Sequence, residues 1–266
     1  MYSDLFSQVY DKFGWNYYPE IFGEQLLQWI SRQGISVKKA LDIGCGTGIL
    51  CSILQENGIE AAGMDLSHGM ITMAKEKYPE IFFEQGNMIS YQPGKKFDLV
   101  TSTCDAMNHI LEKEDLQKVL ENVHSWLEPG GCFLFDLLKE EETEECEPVD
   151  LGELDGKNLE FQICRGDAGR VTLKIHVYAC EEKENGTDPE NGERVSGDGS
   201  GDGADAGMRH PGRRWIHTEE IHERIYAPEE LLQMMEKAGF SRVCCTDRLL
   251  GEKSARAATW FVMGWK

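Results

Sequence analysis

The sequence predicts an α/β fold: a parallel sheet with helices on both faces, carrying a small antiparallel insert. Three observations predict it. Short apolar runs alternate with helical patterns over residues 38–136. A glycine-rich turn, Gly44-Cys45-Gly46-Thr47-Gly48, separates the first apolar run from the first of those helical stretches. Beyond residue 138 the pattern changes to alternation with period two. The 266 residues suit one large domain with a subdomain. The expected division is a helical cap over 1–33, a core over 34–138 and 227–266, and an insert, acting as a lid, over 139–226.

In chain order, Leu5, Phe6, Val9 and Phe13 recur at helical spacing. Phe22, Leu26, Leu27 and Ile30 resume it after a break expected at Tyr18-Pro19. Strands are expected at Ala40–Ile43, Ile59–Met64, Ile81–Glu84, Phe97–Thr101 and Cys132–Leu137. Helices are expected around Ile49–Asn57, Gly69–Lys77 and Leu116–Leu127. Lys139–Glu147 is almost all acid and reads as a solvated connector. Leu159–Arg165 and Arg170–Cys180 flank turn residues and read as a hairpin, with Arg214–Tyr226 as a third strand. Residues 181–213 are rich in Gly, Asp and Glu, too poor in apolar side chains to offset ordering entropy, and are expected to be a disordered acidic loop. The Asp198–Asp205 stretch lacks the closing Glu and flanking helices of a calcium loop. A helix from Pro228 to Lys237, with Pro and acids in its first turn, returns the chain to the core. Strands at Arg242–Thr246 and Ala258–Trp265 complete it.

Charge limits the partners. Lys plus Arg number 27 against 47 Asp plus Glu, a net of −20. No basic cluster offers the counterion release that holds double-stranded nucleic acid or an anionic membrane. No apolar run approaches the roughly 18 residues of a membrane span. The N-terminus lacks a basic segment followed by an apolar one, so a cytoplasmic location is expected. The nine cysteines are irregularly spaced without a C-x-x-C pair and read as free thiols, not a metal site.

The glycine turn carries the chemistry. Following a strand and opening a helix, it lets a ligand approach the backbone where helix amides are exposed. Asp65 ends the second strand, 21 residues after Gly44. A carboxylate there can accept from both hydroxyls of a ribose, or serve as an Asx turn ahead of Ser67. The dinucleotide fingerprint wants a glycine where this chain has Ile49, and Asp42 precedes the turn by two residues.

With these features the chain resembles the class I S-adenosylmethionine-dependent methyltransferases, in their small-molecule branch. The resemblance rests on Leu41-Asp42-Ile43 with Gly44–Gly48, Gly63-Met64-Asp65-Leu66-Ser67 followed by Met70, Gly86-Asn87-Met88, Phe97-Asp98-Leu99-Val100, and Leu127-Glu128-Pro129-Gly130-Gly131. It covers roughly residues 38–137, and Val9-Tyr10-Asp11 with Tyr17-Tyr18 adds to it. It implies a Rossmann-like seven-stranded sheet and S-adenosyl-L-methionine as cofactor. It also implies site roles. Asp42, Gly44, Cys45, Gly46 and Gly48 would bind the methionine part. Asp65 would hold the ribose, Leu66 and Met70 would lie beside the adenosine, and Asn87 and Met88 would meet the adenine edge. The family more often has Asp at the Asn87 position. Cys104 and Asp105 would lie under the sulfonium, and Tyr10 or Tyr18 would close over it.

No N-P-P-[YF]-type tetrad follows the fourth strand, where the chain reads Ser102-Thr103-Cys104-Asp105. With the negative charge, this points to a small-molecule acceptor with an O or N nucleophile. A base is needed only if the acceptor cannot shed its proton unaided. The candidate is His109, with His217 and His222 on the insert as further options. On the third insert strand the Glu220, His222, Arg224, Tyr226 face is considered for the pocket, against the alternative of a solvated face. Two other readings stand beside methyl transfer: an NAD(P)-dependent oxidoreductase and a non-catalytic adenosyl-ligand-binding regulator.

Overall fold

The computed structural model describes residues 3–180, 213–250 and 259–266. The first strands are β1 (Lys39–Ile43), β2 (Glu60–Asp65), β3 (Phe82–Gln85), β4 (Phe97–Ser102) and β5 (Leu127–Leu138). The insert supplies β6 (Val149–Leu154), β7 (Lys157–Arg165), β8 (Arg170–Cys180) and β9 (Arg213–Arg224), and the chain ends on β10 (Arg242–Thr246) and β11 (Thr259–Trp265). The helices are α1 (Asp4–Tyr10), α2 (Tyr17–Gln33), α3 (Ile49–Glu56), α4 (His68–Lys77), α5 (Lys113–Trp126) and α6 (Pro228–Lys237).

The main sheet has seven strands in the order β10-β11-β5-β4-β1-β2-β3. β1 lies parallel to both β2 and β4, and β11 runs antiparallel to β5. The strand order therefore reverses at β1/β4, and an open α/β sheet binds ligands in the crevice at the carboxyl ends there. One face is covered by α5 and α6 through Val119, Leu120, Leu231 and Met235. The other is covered by α2, α3 and α4 through Leu26, Leu50, Leu54 and Ala74.

The second sheet, order β6-β7-β8-β9, is antiparallel throughout. Its inner face holds Leu159, Ile175, Val177 and Ile221, all buried against Phe6 of α1. Cap and insert thus share one small apolar core over the carboxyl edge of the main sheet.

Three expectations need correction. The break in the cap falls at residues 11–16, not at Tyr18-Pro19. Pro19 lies in the first turn of α2, where its missing N–H has no helical carbonyl to meet. The insert has four strands because β6 pairs with β7, a short edge strand whose Gly152 bulge interrupts the alternation. Part of the acidic connector, Glu140–Thr143, forms a 3-10 turn. The acidic loop expected over 181–213 lies outside the described residues except for Arg213, which opens β9 and pairs with Asp150 and Glu160.

Candidate active site

Two cavities meet at the carboxyl edge of the main sheet. The smaller, about 30 Å³, is lined by Asp42, the Gly44–Thr47 turn, Thr103, Cys104 and Tyr10. The larger, about 340 Å³, lies between the cap and the inner face of the insert, with Cys104 and Asp105 also on its wall. Tyr10 and Cys104 border both.

The turn is built for close approach. Gly46 has φ 53° and a Cβ there would meet no atom within 4 Å, so its side faces open space. Gly48 has φ 84° and a Cβ would come within 2.6 Å of the Phe83 ring, so this glycine seats the turn against the sheet. Thr47 donates to Asp11 at 2.9 Å, and Lys77 pairs with the same carboxylate, tying cap to turn.

Asp42 is fully buried at the tip of β1 and accepts from Thr101 at 2.7 Å. Burial pushes its pKa up to about 7, against the lowering effect of the Thr101 bond. At the tip of β2, Asp65 accepts from the Gly46 amide at 2.9 Å and the Ser67 amide at 2.8 Å. The Asx turn is therefore present, and the same carboxylate fixes the glycine turn. Its pKa is raised by burial and opposed by these amide bonds. A carboxylate offers about four acceptor positions, and with the amides of Gly46, Leu66 and Ser67 on it about one remains for a ligand hydroxyl. Leu66 beside it is exposed, as an apolar platform for a flat ring must be.

Other expected residues fare differently. Met70 is wholly buried in α4 and presents no surface to a ligand; Ser67, the N-cap, accepts from its amide. Asn87 uses its side-chain oxygen to cap its own turn through the Ile89 amide at 2.9 Å. The adjacent Met88 is half-buried and receives Asn122 at its carbonyl. Cys45 is buried and its thiol pKa is raised well above the usual range by burial.

Cys104 and Asp105 have φ of 58° and 62°, a left-handed pair of non-glycine residues. The cause lies in Asp136 of β5. Its two carboxylate oxygens accept from the Cys104 amide at 3.1 Å and the Asp105 amide at 2.9 Å. The Tyr18 hydroxyl hydrogen-bonds the same carboxylate, and burial followed by Asp136 raises its pKa. Asp136 is thus a site residue that sequence reasoning missed. The signal was an acid inside the apolar run Cys132–Leu138.

His109 does not line either cavity. It closes the 3-10 turn Ala106–His109, bonds the backbone of His222, and has Nε2 3.9 Å from Glu223. Burial pushes its pKa down to about 4, so it is neutral at pH 7 and a weak base. Of the two faces of β9, it is the other one that turns inward: Glu219, Ile221 and Glu223 are buried, while Glu220 and His222 are exposed. Ile221 was the clue, since an apolar residue marks the packed face. Glu219 accepts from the Ser3 amide at 2.8 Å and pairs with His217 at 3.0 Å, which clasps α1 to the insert. Glu223 borders the larger cavity. Among the described residues no cluster of His, Cys, Asp or Glu has the arrangement of a metal centre.

Comparison with known proteins agrees with this geometry. Residues 40–131 match the family model described as a methyltransferase domain. A protein named as a methyltransferase in Geobacillus sp. (strain WCH70) is 35% identical over 120 residues, 44% of this chain and 48% of that one. The dTDP-3-amino-3,4,6-trideoxy-alpha-D-glucopyranose N,N-dimethyltransferase of Streptomyces venezuelae is 28% identical over 140 residues, 51% of this chain and 58% of that one. The chain thus spans about half the length of the curated relatives that it matches. In fold, the similarity runs the whole length. A crystal structure of an S-adenosylmethionine-dependent methyltransferase from Clostridium acetobutylicum ATCC 824 superposes with a TM-score of 0.73 at 18% identity, over 98% of both chains.

Proposed function

We propose that this chain, of which residues 40–131 match a methyltransferase domain, is a class I S-adenosylmethionine-dependent methyltransferase and transfers a methyl group to a small-molecule acceptor held in the larger cavity. The observation that carries this reading is the meeting of the two cavities at Tyr10 and Cys104. A methyl group presented from the glycine-turn side would emerge there toward the acceptor.

The residues present fit the cofactor. Gly46 opens onto the smaller cavity, where a Cβ would take up free space, and Asp42 lines the same cavity. In this reading Asp42 and the Gly44–Gly48 turn hold the methionine part, Asp65 takes the ribose, Leu66 covers the adenine, and Asn87 and Met88 border it. The bound cofactor supplies a methyl group already activated on a sulfonium. The chain's own residues then align and desolvate. Asp136 fixes the Cys104-Asp105 turn and orients Tyr18. Cap and insert close over the edge and exclude water, through the Phe6 core and the Glu219 clasp. The amino-sugar N-methyltransferase relative supports a small acceptor with a nucleophilic heteroatom. No helix among the described residues is long and apolar enough to cross a membrane.

The test is a screen of metabolite extracts with S-adenosylmethionine carrying a labelled methyl group. Label is expected in a low-molecular-mass product. Label in protein or nucleic acid only, or none despite tight cofactor binding, would overturn the proposal.

A further inference from the structure

Resting on that reading of the larger cavity, we infer that the acceptor is an amine on a compact apolar body, bound as its ammonium between the Glu223 carboxylate and the aromatic wall. Three features of the cavity lead there.

The first is charge. The acids on its wall, among the described residues, are Glu223 and Asp105, both largely buried. Among the described residues no Lys, Arg or His lines it. An anionic acceptor, whether carboxylate or phosphate, would meet two carboxyl groups and no cation in a poorly solvated space. A cation is drawn in by the same groups.

The second is the wall itself. Phe6, Tyr10, Trp15, Tyr17, Tyr18 and Phe161 contribute rings. Tyr10 and Trp15 stack at 5.7 Å, and Phe6 lies 5.0 Å from Trp15. Ring faces carry negative electrostatic potential and attract ammonium groups, more strongly where water is excluded. Leu173, Ile175 and Ile221 complete an apolar seat for the body of the acceptor.

The third is size. A volume of about 340 Å³ is at the small end of ligand pockets, which run roughly 300–1,000 Å³. A nucleoside diphosphate carrier, as named for the amino-sugar relative, would find no cation among the described residues of its wall. The amine chemistry of that relative is retained, and its carrier is not.

The transfer balances on these groups. The ammonium gives one proton to the Glu223 carboxylate, and the freed nitrogen lone pair bonds the methyl carbon. The carbon–sulfur bond breaks with its electron pair going to sulfur, and the product leaves as a methylated ammonium.

The experiment is calorimetric titration of the protein saturated with S-adenosylhomocysteine. The probes share one skeleton and differ in charge: 2-phenylethylamine, 2-phenylethanol and phenylacetate. The amine is expected to bind at least about ten-fold more tightly than the alcohol, with no detectable binding of phenylacetate. Glu223→Gln should weaken the amine by roughly ten- to a hundred-fold, the loss of one charge-assisted hydrogen bond. The same variant should leave the alcohol and S-adenosylhomocysteine unchanged. Glu220→Gln, on the exposed face of the same strand, should change nothing. Equal or tighter binding of the alcohol or phenylacetate, no binding of the amine, or an unaltered amine affinity in Glu223→Gln would each overturn the inference. Failure of S-adenosylhomocysteine to bind the unaltered protein would instead refute the methyltransferase reading beneath it.

Discussion

Asp136 and Asp42 are two buried acids with opposite characters. Asp136 receives two amides and a tyrosine hydroxyl, so its charge is met by donors. Asparagine there would turn one acceptor into a donor facing an amide. Asp136→Asn is therefore expected to cost about 1.5–3 kcal/mol, read from urea denaturation, because a charge-assisted bond is lost. It should also weaken acceptor binding, since the left-handed Cys104-Asp105 turn would relax. Asp42 accepts from the Thr101 hydroxyl, and burial raises its pKa to about 7. Its native form holds a proton that the unfolded chain releases near pH 3.8. Between these values the native state binds more protons, so this group's contribution lowers stability as pH rises from about 4 to about 7. Asp42→Asn cannot release a proton. The stability difference between variant and wild type should grow in the variant's favour across that window and level off above pH 7. A constant difference from pH 4 to pH 8 would show that Asp42 is ionised throughout.

At the scale of elements, the glycine turn separates folding from binding. Gly48→Ala drives a Cβ into Phe83 at 2.6 Å, on a backbone with φ 84°. The strain alone is about 1–3 kcal/mol, and the clash adds to it. Gly46→Ala meets nothing within 4 Å and costs only the left-handed backbone penalty, about 1–2 kcal/mol. Its methyl group would instead project into the smaller cavity, where the proposed function seats the cofactor. Thermal melts and calorimetry together should show Gly48→Ala losing more stability, and Gly46→Ala losing more than about ten-fold in S-adenosylhomocysteine affinity while folded. The reverse ranking would remove the turn from the cofactor site. The parallel strands were legible because each is a continuous apolar run bounded by helical spacing, and their ends shift by only a residue or two, except that β5 begins at Leu127, ahead of the expected Cys132. β6 was not, since its alternation is interrupted by a glycine bulge and its neighbours are acidic. Asp42, Asp65 and the glycines were legible as local patterns. Asp136, Glu219 and Glu223 were not, because their partners lie far along the chain: Asp136 is 31–32 residues from its amides, and Glu219 is 216 from Ser3. Alternation gave the two faces of β9 correctly but not which one turns inward. Only the shared core of cap and insert decides that.

For the whole molecule, a net charge of −20 in 266 residues makes self-repulsion a general destabilising force. Raising ionic strength from about 0.01 M to about 0.15 M shortens the Debye length from roughly 30 Å to 8 Å. The melting temperature should rise over that range, and a fall would show that surface ion pairs such as Lys95–Glu60 and Arg170–Glu112 outweigh the repulsion. In the proposed function the fold is organised around an adenosyl methyl donor. The most direct measurement is a thermal melt with S-adenosylhomocysteine or NAD, each at 100 times the dissociation constant found for S-adenosylhomocysteine. A ligand at that excess stabilises by about 2.7 kcal/mol, which for a domain of this size is roughly 5–10 °C. That shift is expected with S-adenosylhomocysteine and none with NAD. A shift with NAD alone, or with neither, would contradict it.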